Sequence, residues 1–376
     1  MNVGERVEVR ARWAGGRLRE ASVGLSPPVP VARLLGGLTP EEALPLIPAL
    51  FPVCGSSHQA AATLCLRRAA GAPSPSREEI RELEARILLD DAMTALFSLF
   101  LLADPSDRTV LASLRGSLST PGLFPEAKEK GWAREMDRRA TLLEDRLVEW
   151  MLGGPADDFL GLDPDALLTY ASESSALAGR LLRRFPLGPA PEGTATTGFL
   201  PPLAPDSERA YAGGSGEEGF WEAPYFEGRV VETGPLARRV GEQGFAPLFR
   251  RWGAGPFLRR VARLQEIAGL PAAFRRLARD GTGGRMACYS GGPDEGVAVV
   301  EVGRGRLFHR ARVEAGRIAD YRIGSPTRWN FHPGGVLTES LLGLSGSSVG
   351  EARIRVRDQI ESLDPCAAVS IDISHA

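Results

Sequence analysis

Helical periodicity and strand-like alternation occupy different parts of this chain, and that segregation limits its fold more than any other feature. In the middle, Ser76-x-x-Glu79 forms a capping box that opens a helix expected to reach Ala103, with Ile80, Leu83 and Ile87 on its apolar face and Pro105 as its stop. Similar amphipathic runs cover Glu126 to Leu152, Asp163 to Arg184 and Pro256 to Arg279, which predicts a helical bundle. Alternation is confined to the two ends. Val7, Val9 and Ala11, then Gly15-Gly16, then Leu18 and Val23 predict a β-hairpin. Gly296 to Val302, Arg306 to His309 and Ile318 to Ile323, with Glu314-Ala315-Gly316 as a turn, predict a small antiparallel sheet. The fold class that follows is α+β.

Shorter signals fill the gaps. Thr39-Pro40-Glu41-Glu42 places an N-cap residue, a proline at the first helical position and acids in the first turn, so a short helix should run toward Ile47 unless Pro45 ends it. Proline, glycine, threonine and serine between Pro186 and Gly219 predict a long flexible loop. Ser325 to Pro333 reads as irregular, and Val349 to Leu363 as the last helix. The expected organisation is one domain over 1–376: hairpin and first cysteine motif in 1–66, bundle in 76–185, loop in 186–220, and helices, sheet and last cysteine motif in 221–376.

Charge and cysteine usage exclude several functions. A net charge of -2 and arginines scattered among acids give no basic face for nucleic acid. The most apolar run, Ala92 to Ala103, is too short to cross a bilayer, and the N-terminal residues carry no export signal, so the expected location is cytoplasmic with no membrane partner. Four cysteines without a Cys-x-x-Cys pair make neither a disulfide framework nor a structural zinc site.

Two of those cysteines stand where chemistry is possible. Cys366 follows Asp364-Pro365, and the proline keeps its predecessor out of a helix, so the thiol is presented at a helix end. Cys54 opens an alanine-rich segment with His58 one turn on, where helix N–H groups favour a thiolate. Each is otherwise a small buried hydrophobe, as most free cysteines are. Cys65, Cys288 and His332 read as packing or surface residues, and Trp329 and Phe331 as core.

Five islands carry a resemblance: Phe51 to Ala62; Tyr225 to Arg229 with Glu232 to Arg238; Arg304-Gly305 with His309; Pro326 to Asn330; and Asp364-Pro365-Cys366. In this order they resemble the [NiFe]-hydrogenase large subunits, and the Trp329 to Pro333 form is most similar to hydrogenase expression/formation proteins of the HupK/HoxV type. The resemblance implies a reduced large-subunit fold. In the large subunits two Cys-x-x-Cys pairs hold nickel and iron, whereas here each pair is halved: Cys54 matches a bridging position with Phe51 in place of its partner, and Cys366 matches a terminal ligand with Val369 in place of the other.

The family's proton-transfer glutamate stretch, found upstream of the first hairpin, has no counterpart, so a catalytic role is not expected. The resemblance implies instead an assembly scaffold that holds iron with cyanide and carbonyl ligands transiently on Cys54 and Cys366, with nickel not expected. Arg304, Pro326 and Thr327 would line that cargo, and His58 either donates to a cysteine sulfur or is a satisfied core histidine. Thr327 and Asn330 more commonly order a loop, Arg304 would otherwise lie on the surface, and Asp364 either caps backbone or acts chemically. The implied partners are a small chaperone of the HypC type and a hydrogenase large subunit as acceptor. A diverged subunit with residual redox activity and a metal-free structural mimic are the competing readings.

Overall fold

The computed structural model describes residues 5–26, 31–52, 54–102, 108–109, 112, 131–185, 194–195, 197–203, 219–281 and 284–375. The predicted hairpin is β1 (Arg6–Ala14) and β2 (Arg17–Leu25), joined through Gly15 and Gly16, both at positive φ. Val7, Val9, Ala11, Trp13, Leu18 and Val23 turn inward. Thr39 is the expected N-cap and forms a capping box with Glu42, but the helix it opens stops at Ala43. The backbone then tightens into a 3-10 turn at Leu44–Leu46 around Pro45 before resuming over Ile47–Leu50.

Two long helices follow. Helix α1 (Gly55–Ala69) buries Ala60, Ala61, Ala62, Leu64 and Leu66. Helix α2 (Arg77–Leu102) begins at the predicted capping box, with Ser76 N–H donating to Glu79 and Glu79 N–H donating to Ser76 Oγ at 3.2 Å. The expected stop at Pro105 and residues 126–130 lie outside the described residues, as does most of the predicted 186–220 loop.

Helix α3 (Trp132–Arg146) and helix α4 (Pro256–Asp280) complete the bundle core with Met136, Leu143, Phe257, Val261 and Phe274 buried between them. Fully burying one such side chain contributes about 1.5–3 kcal/mol. The run from Asp163 to Arg184 is two helices, Pro164–Glu173 and Leu177–Leu182, and not one. Ser174 is extended at the break, and Arg183 there donates to the carbonyls of Ala171, Ser172 and Ser174, which the helix would otherwise have used.

A short parallel pair, β3 (Gly198–Phe199) and β4 (Val231–Glu232), precedes the second sheet, which has the order β5 (Met286–Gly292), β6 (Glu295–Val302), β7 (Gly305–Glu314), β8 (Arg317–Gly324), all antiparallel. One face meets α1, and the approach is close: a Cβ on Gly296 would lie 2.1 Å from the Cys65 carbonyl oxygen, so only glycine fits. The other face packs Val297, Val299 and Phe308 on Phe220, Trp221 and Trp329.

Residues Ser325 to Pro333, expected to be irregular, contain a short helix, α5 (Pro326–Asn330), because an extended Ser325 followed by proline presets the first helical turn. Helix α6 (Val349–Ser362) lies where the last helix was expected and is capped by Ser348, whose side chain accepts from Glu351 N–H. It leads into a strand that the sequence reading missed, β9 (Ala368–His375), which lies parallel to β1 and closes the order β2-β1-β9. Both ends of the chain therefore meet in one sheet.

Candidate functional site

Cys54 is the N-cap of α1, entered by a turn in which its N–H donates to the Phe51 carbonyl at 3.1 Å. Glycine follows because a Cβ at residue 55 would press on Pro48 at 3.0 Å. Cys366 arrives from the other end. After α6 the chain turns through Asp364, a non-glycine residue in the left-handed region at φ 51, and then Pro365. The Cys366 N–H donates to Thr327 Oγ1 at 3.2 Å, so the start of α5, opened by Pro326, sets where the thiol stands. Cys54 is half-buried and Cys366 exposed.

The two thiols are hydrogen-bonded to each other, and this reverses the expected acidity. The hydrogen bond from Cys54 and the nearby Arg304 charge hold Cys366 down at about 6. Its partner pays the opposite way: the same hydrogen bond and burial push Cys54 well above the usual thiol range, outweighing the helix N-terminus. The pair thus carries one proton and one negative charge near neutral pH.

Arg304 leaves the turn between β6 and β7, where the backbones are nearly in contact: a Cβ on Gly234 would lie 2.8 Å from the Arg304 carbonyl oxygen. Asn330 fixes the facing segment by accepting from Thr233 N–H at 2.9 Å and donating to the Thr233 carbonyl at 3.0 Å. Arg304 is buried at 8% exposure and donates from Nε to Asp364 Oδ2 at 3.1 Å and from Nη2 to Ser98 Oγ at 3.3 Å. Burial opposes its charge, but Asp364, Cys366 and Cys54 outweigh that and hold it above its ordinary value.

Asp364 is the hub. Arg263 on α4 reaches its Oδ2 at 2.8 Å and Ser98 on α2 donates to its Oδ1 at 2.8 Å. Burial would raise its carboxyl, yet Arg304, Arg263, Ser98 and Arg260 bring it to about 2. It therefore acts through the arginines as well as shaping the turn. Among the described residues, Arg263 Nη1 is buried with no hydrogen-bond partner. On the Cys54 side, burial pushes Asp90 up to about 6 although Ser57 N–H donates to its Oδ2 at 2.7 Å.

His58 is buried beside Cys54, but the bond it makes is not to sulfur. Its Nδ1 faces His309 Nε2 at 3.0 Å, and Phe51 stacks flat on its ring at 3.7 Å between centroids. Burial lowers it to about 3, so it is neutral. Val369, at the other substituted position, lies exposed on β9 opposite Val7. Trp329 and Phe331 are core, as expected. Cys65 is packed against Tyr321, and Cys288 donates to the Leu64 carbonyl at 3.3 Å.

Cys54, Cys366, Arg304 and Thr327 are thus joined by hydrogen bonds or charge, while His58 belongs to a separate polar chain. Ser98, Arg260, Arg263 and Asp90 were missed. The arginines sit among many others on α4, without a distinguishing local pattern; the signal for Asp90 was an acid pair set directly before an apolar helical run. Among the described residues, no group of three or more His, Cys, Asp or Glu converges as a protein-only metal site would, and no helix is long and apolar enough to cross a membrane.

A family model described as nickel-dependent hydrogenase matches residues 288–372. The hydrogenase expression/formation protein HupK of Azotobacter vinelandii is 30% identical over 384 residues, covering 99% of each chain. Its namesake from Bradyrhizobium diazoefficiens is 28% identical over 374 residues, covering 98% of this chain and 97% of its own. Among solved structures, a reduced, active form of the Ni-Fe-Se hydrogenase from Desulfomicrobium baculatum shares the fold, with a TM-score of 0.62 over 95% of each chain at 15% identity.

Proposed function

This chain belongs to the hydrogenase expression/formation proteins of the HupK type, and on that premise we propose that it is a non-catalytic scaffold. Its cargo is an iron ion with cyanide and carbonyl ligands, held on Cys54 and Cys366 and then passed to a hydrogenase large subunit. The observation that carries the reading is the meeting of two thiols from opposite ends of the chain beside a buried guanidinium.

Thiolates are soft, anionic donors suited to low-spin iron, and two of them leave the metal's remaining positions to its own small ligands. Arg304 supplies fixed N–H donors and positive charge for a cyanide nitrogen, and Arg263 adds a second cation through Asp364. Phe51 and Val369 offer no donor, so nickel finds no site of its own. Delivery from a small chaperone of the HypC type would proceed by exchange between thiolates, with the exposed Cys366 reacting first.

Infrared spectra of protein purified without oxygen from cells making the maturation machinery test this. Cyanide and carbonyl bands with iron and little nickel are expected, together with no hydrogen oxidation; Cys54→Ala should lose the bands. Stoichiometric nickel, or turnover abolished by Cys366→Ala, would instead indicate a working hydrogenase subunit. Bands and chaperone binding unchanged in both alanine variants would favour a metal-free mimic.

A further inference from the structure

The turn that carries Arg304 is gripped from two sides. β6 and β7 are joined by Gly303 and Arg304 alone, with Val302 paired to Gly305 across the turn. Neither turn residue has positive φ, so this is not one of the primed turns whose twist matches the flanking strands of a two-residue hairpin. A hairpin tip is also normally exposed, whereas Arg304 is buried. Groups outside the hairpin therefore have to hold its tip inside the protein.

Arg238 supplies most of that hold. It stands on the short helix Pro235–Arg239, at the end of the second sequence island, and all five N–H donors of its guanidinium are used. Nε and Nη2 bind the Glu266 carboxylate on α4 at 2.6 and 2.8 Å, and Nη1 reaches Glu301 Oε2 on β6 at 2.9 Å. The two remaining N–H groups donate to the turn itself, from Nη1 to the Val302 carbonyl and from Nη2 to the Gly303 carbonyl, each at 3.1 Å. From α2, Asp91 Oδ1 accepts the Gly303 N–H at 2.5 Å, and Arg285 binds the other carboxylate oxygen. A Cβ on Gly303 would lie 3.1 Å from Asp91 Oδ1, so the backbone is pressed onto that carboxylate. Both polar groups of the peptide joining Val302 to Gly303, and the carbonyl of the next peptide, are thus fixed.

We infer that Arg238, assisted by Asp91, is a positioning residue that locks the Gly303–Arg304 turn and so delivers the Arg304 guanidinium to Asp364 and the two-thiol site. Two carboxylates and two carbonyls converge on one planar fork, which a lysine ammonium, with three donors on a flexible stem, cannot reproduce. Arg238 acts through the turn backbone and not on the thiols. The benefit to a cyanide-bearing cargo rests on the scaffold reading; the placement of Arg304 does not.

Hydrogen exchange followed by NMR of nitrogen-15-labelled, iron-free protein tests this, with the Arg304 Nε–H signal identified by its loss in Arg304→Ala. In wild type the Arg304 Nε–H should be protected, and the Gly303 amide should exchange as slowly as the strand amides beside it. Fast exchange at either overturns the inference without any variant. Arg238→Lys keeps a positive charge opposite Glu266 and Glu301 but gives up the hydrogen bonds to the turn. Exchange at Arg304 Nε–H should then quicken by about tenfold or more, the scale of two lost hydrogen bonds. The Arg259 Nε–H, in its separate buried pair with Glu232, should stay unchanged. An unchanged Arg304 signal, or equal acceleration at Arg304 and Arg259, would reduce Arg238 to general support of the fold and overturn the positioning role. In iron-loaded protein, Arg238→Lys should also shift the cyanide bands. Missing bands in wild type alongside a protected Arg304 Nε–H would count against the scaffold and for the positioning role.

Discussion

Cys54 and Cys366 meet from opposite ends of the chain and are held in opposite ways. Cys54 caps α1, whose alanine face is pressed against the second sheet, and it is half-buried with its proton retained. Cys366 stands exposed beyond a left-handed turn, fixed through one backbone hydrogen bond to Thr327 and through the arginine-bound Asp364 before it. The difference teaches that a two-thiol site need not be symmetric. One sulfur is built into the core and the other is placed by charge, which suits an anchor and an entry point.

The largest effect should come from the charge hub. Removing Asp364 leaves Arg304 and Arg263 buried without their counter-charge, and breaking such a pair typically costs about 3–5 kcal/mol. Asp364→Ala should lower the urea midpoint accordingly, and a loss below about 1 kcal/mol, typical of exposed pairs, would show that Cys366 is not placed by this network. The same group predicts an acid limit. Its folded value of about 2 lies below the roughly 3.9 of a free aspartate. Its stabilisation is therefore complete above that free value and disappears as pH falls through about 2, which acid titration of the fold would follow.

A second, smaller effect separates the two thiols. Cys366 owes its low value first to the hydrogen bond from Cys54. In wild type its alkylation should switch on as pH rises through about 6, whereas Cys54→Ala should move that midpoint toward the roughly 8.5 of a free thiol. The rate at pH 7 would then fall by about tenfold or more. An unchanged midpoint would mean that Arg304 alone sets the thiolate and that the cysteines act independently.

How much of this contrast was legible depended on whether its cause was local. The hairpin followed from Val7, Val9 and Ala11 alternating before Gly15-Gly16, and α2 followed from its capping box. β9 alternates too, but it is largely exposed and acquires its role only by lying beside β1, more than 350 residues away in sequence. No local pattern names such a partner. The pairing of Cys54 with Cys366 came from family resemblance, and the helix-end argument for an acidic Cys54 failed because it omitted the neighbouring thiol. His58 was placed correctly on its helix, yet its partner is set by the register of β7 and β8 against α1.

The smallest expected effect tests whether the two cysteines are held separately. Thr327 Oγ1 accepts the Cys366 N–H, while Cys54 N–H donates within its own turn to Phe51. Thr327→Val keeps the shape and removes only the acceptor. A lost hydrogen bond of this kind costs about 1 kcal/mol, roughly fivefold in a local opening equilibrium. Hydrogen exchange should accordingly speed up several-fold at the Cys366 amide and stay unchanged at Cys54. Equal acceleration at both amides would mean that they open as one unit, and the division into anchor and entry point would then have to rest on exposure alone.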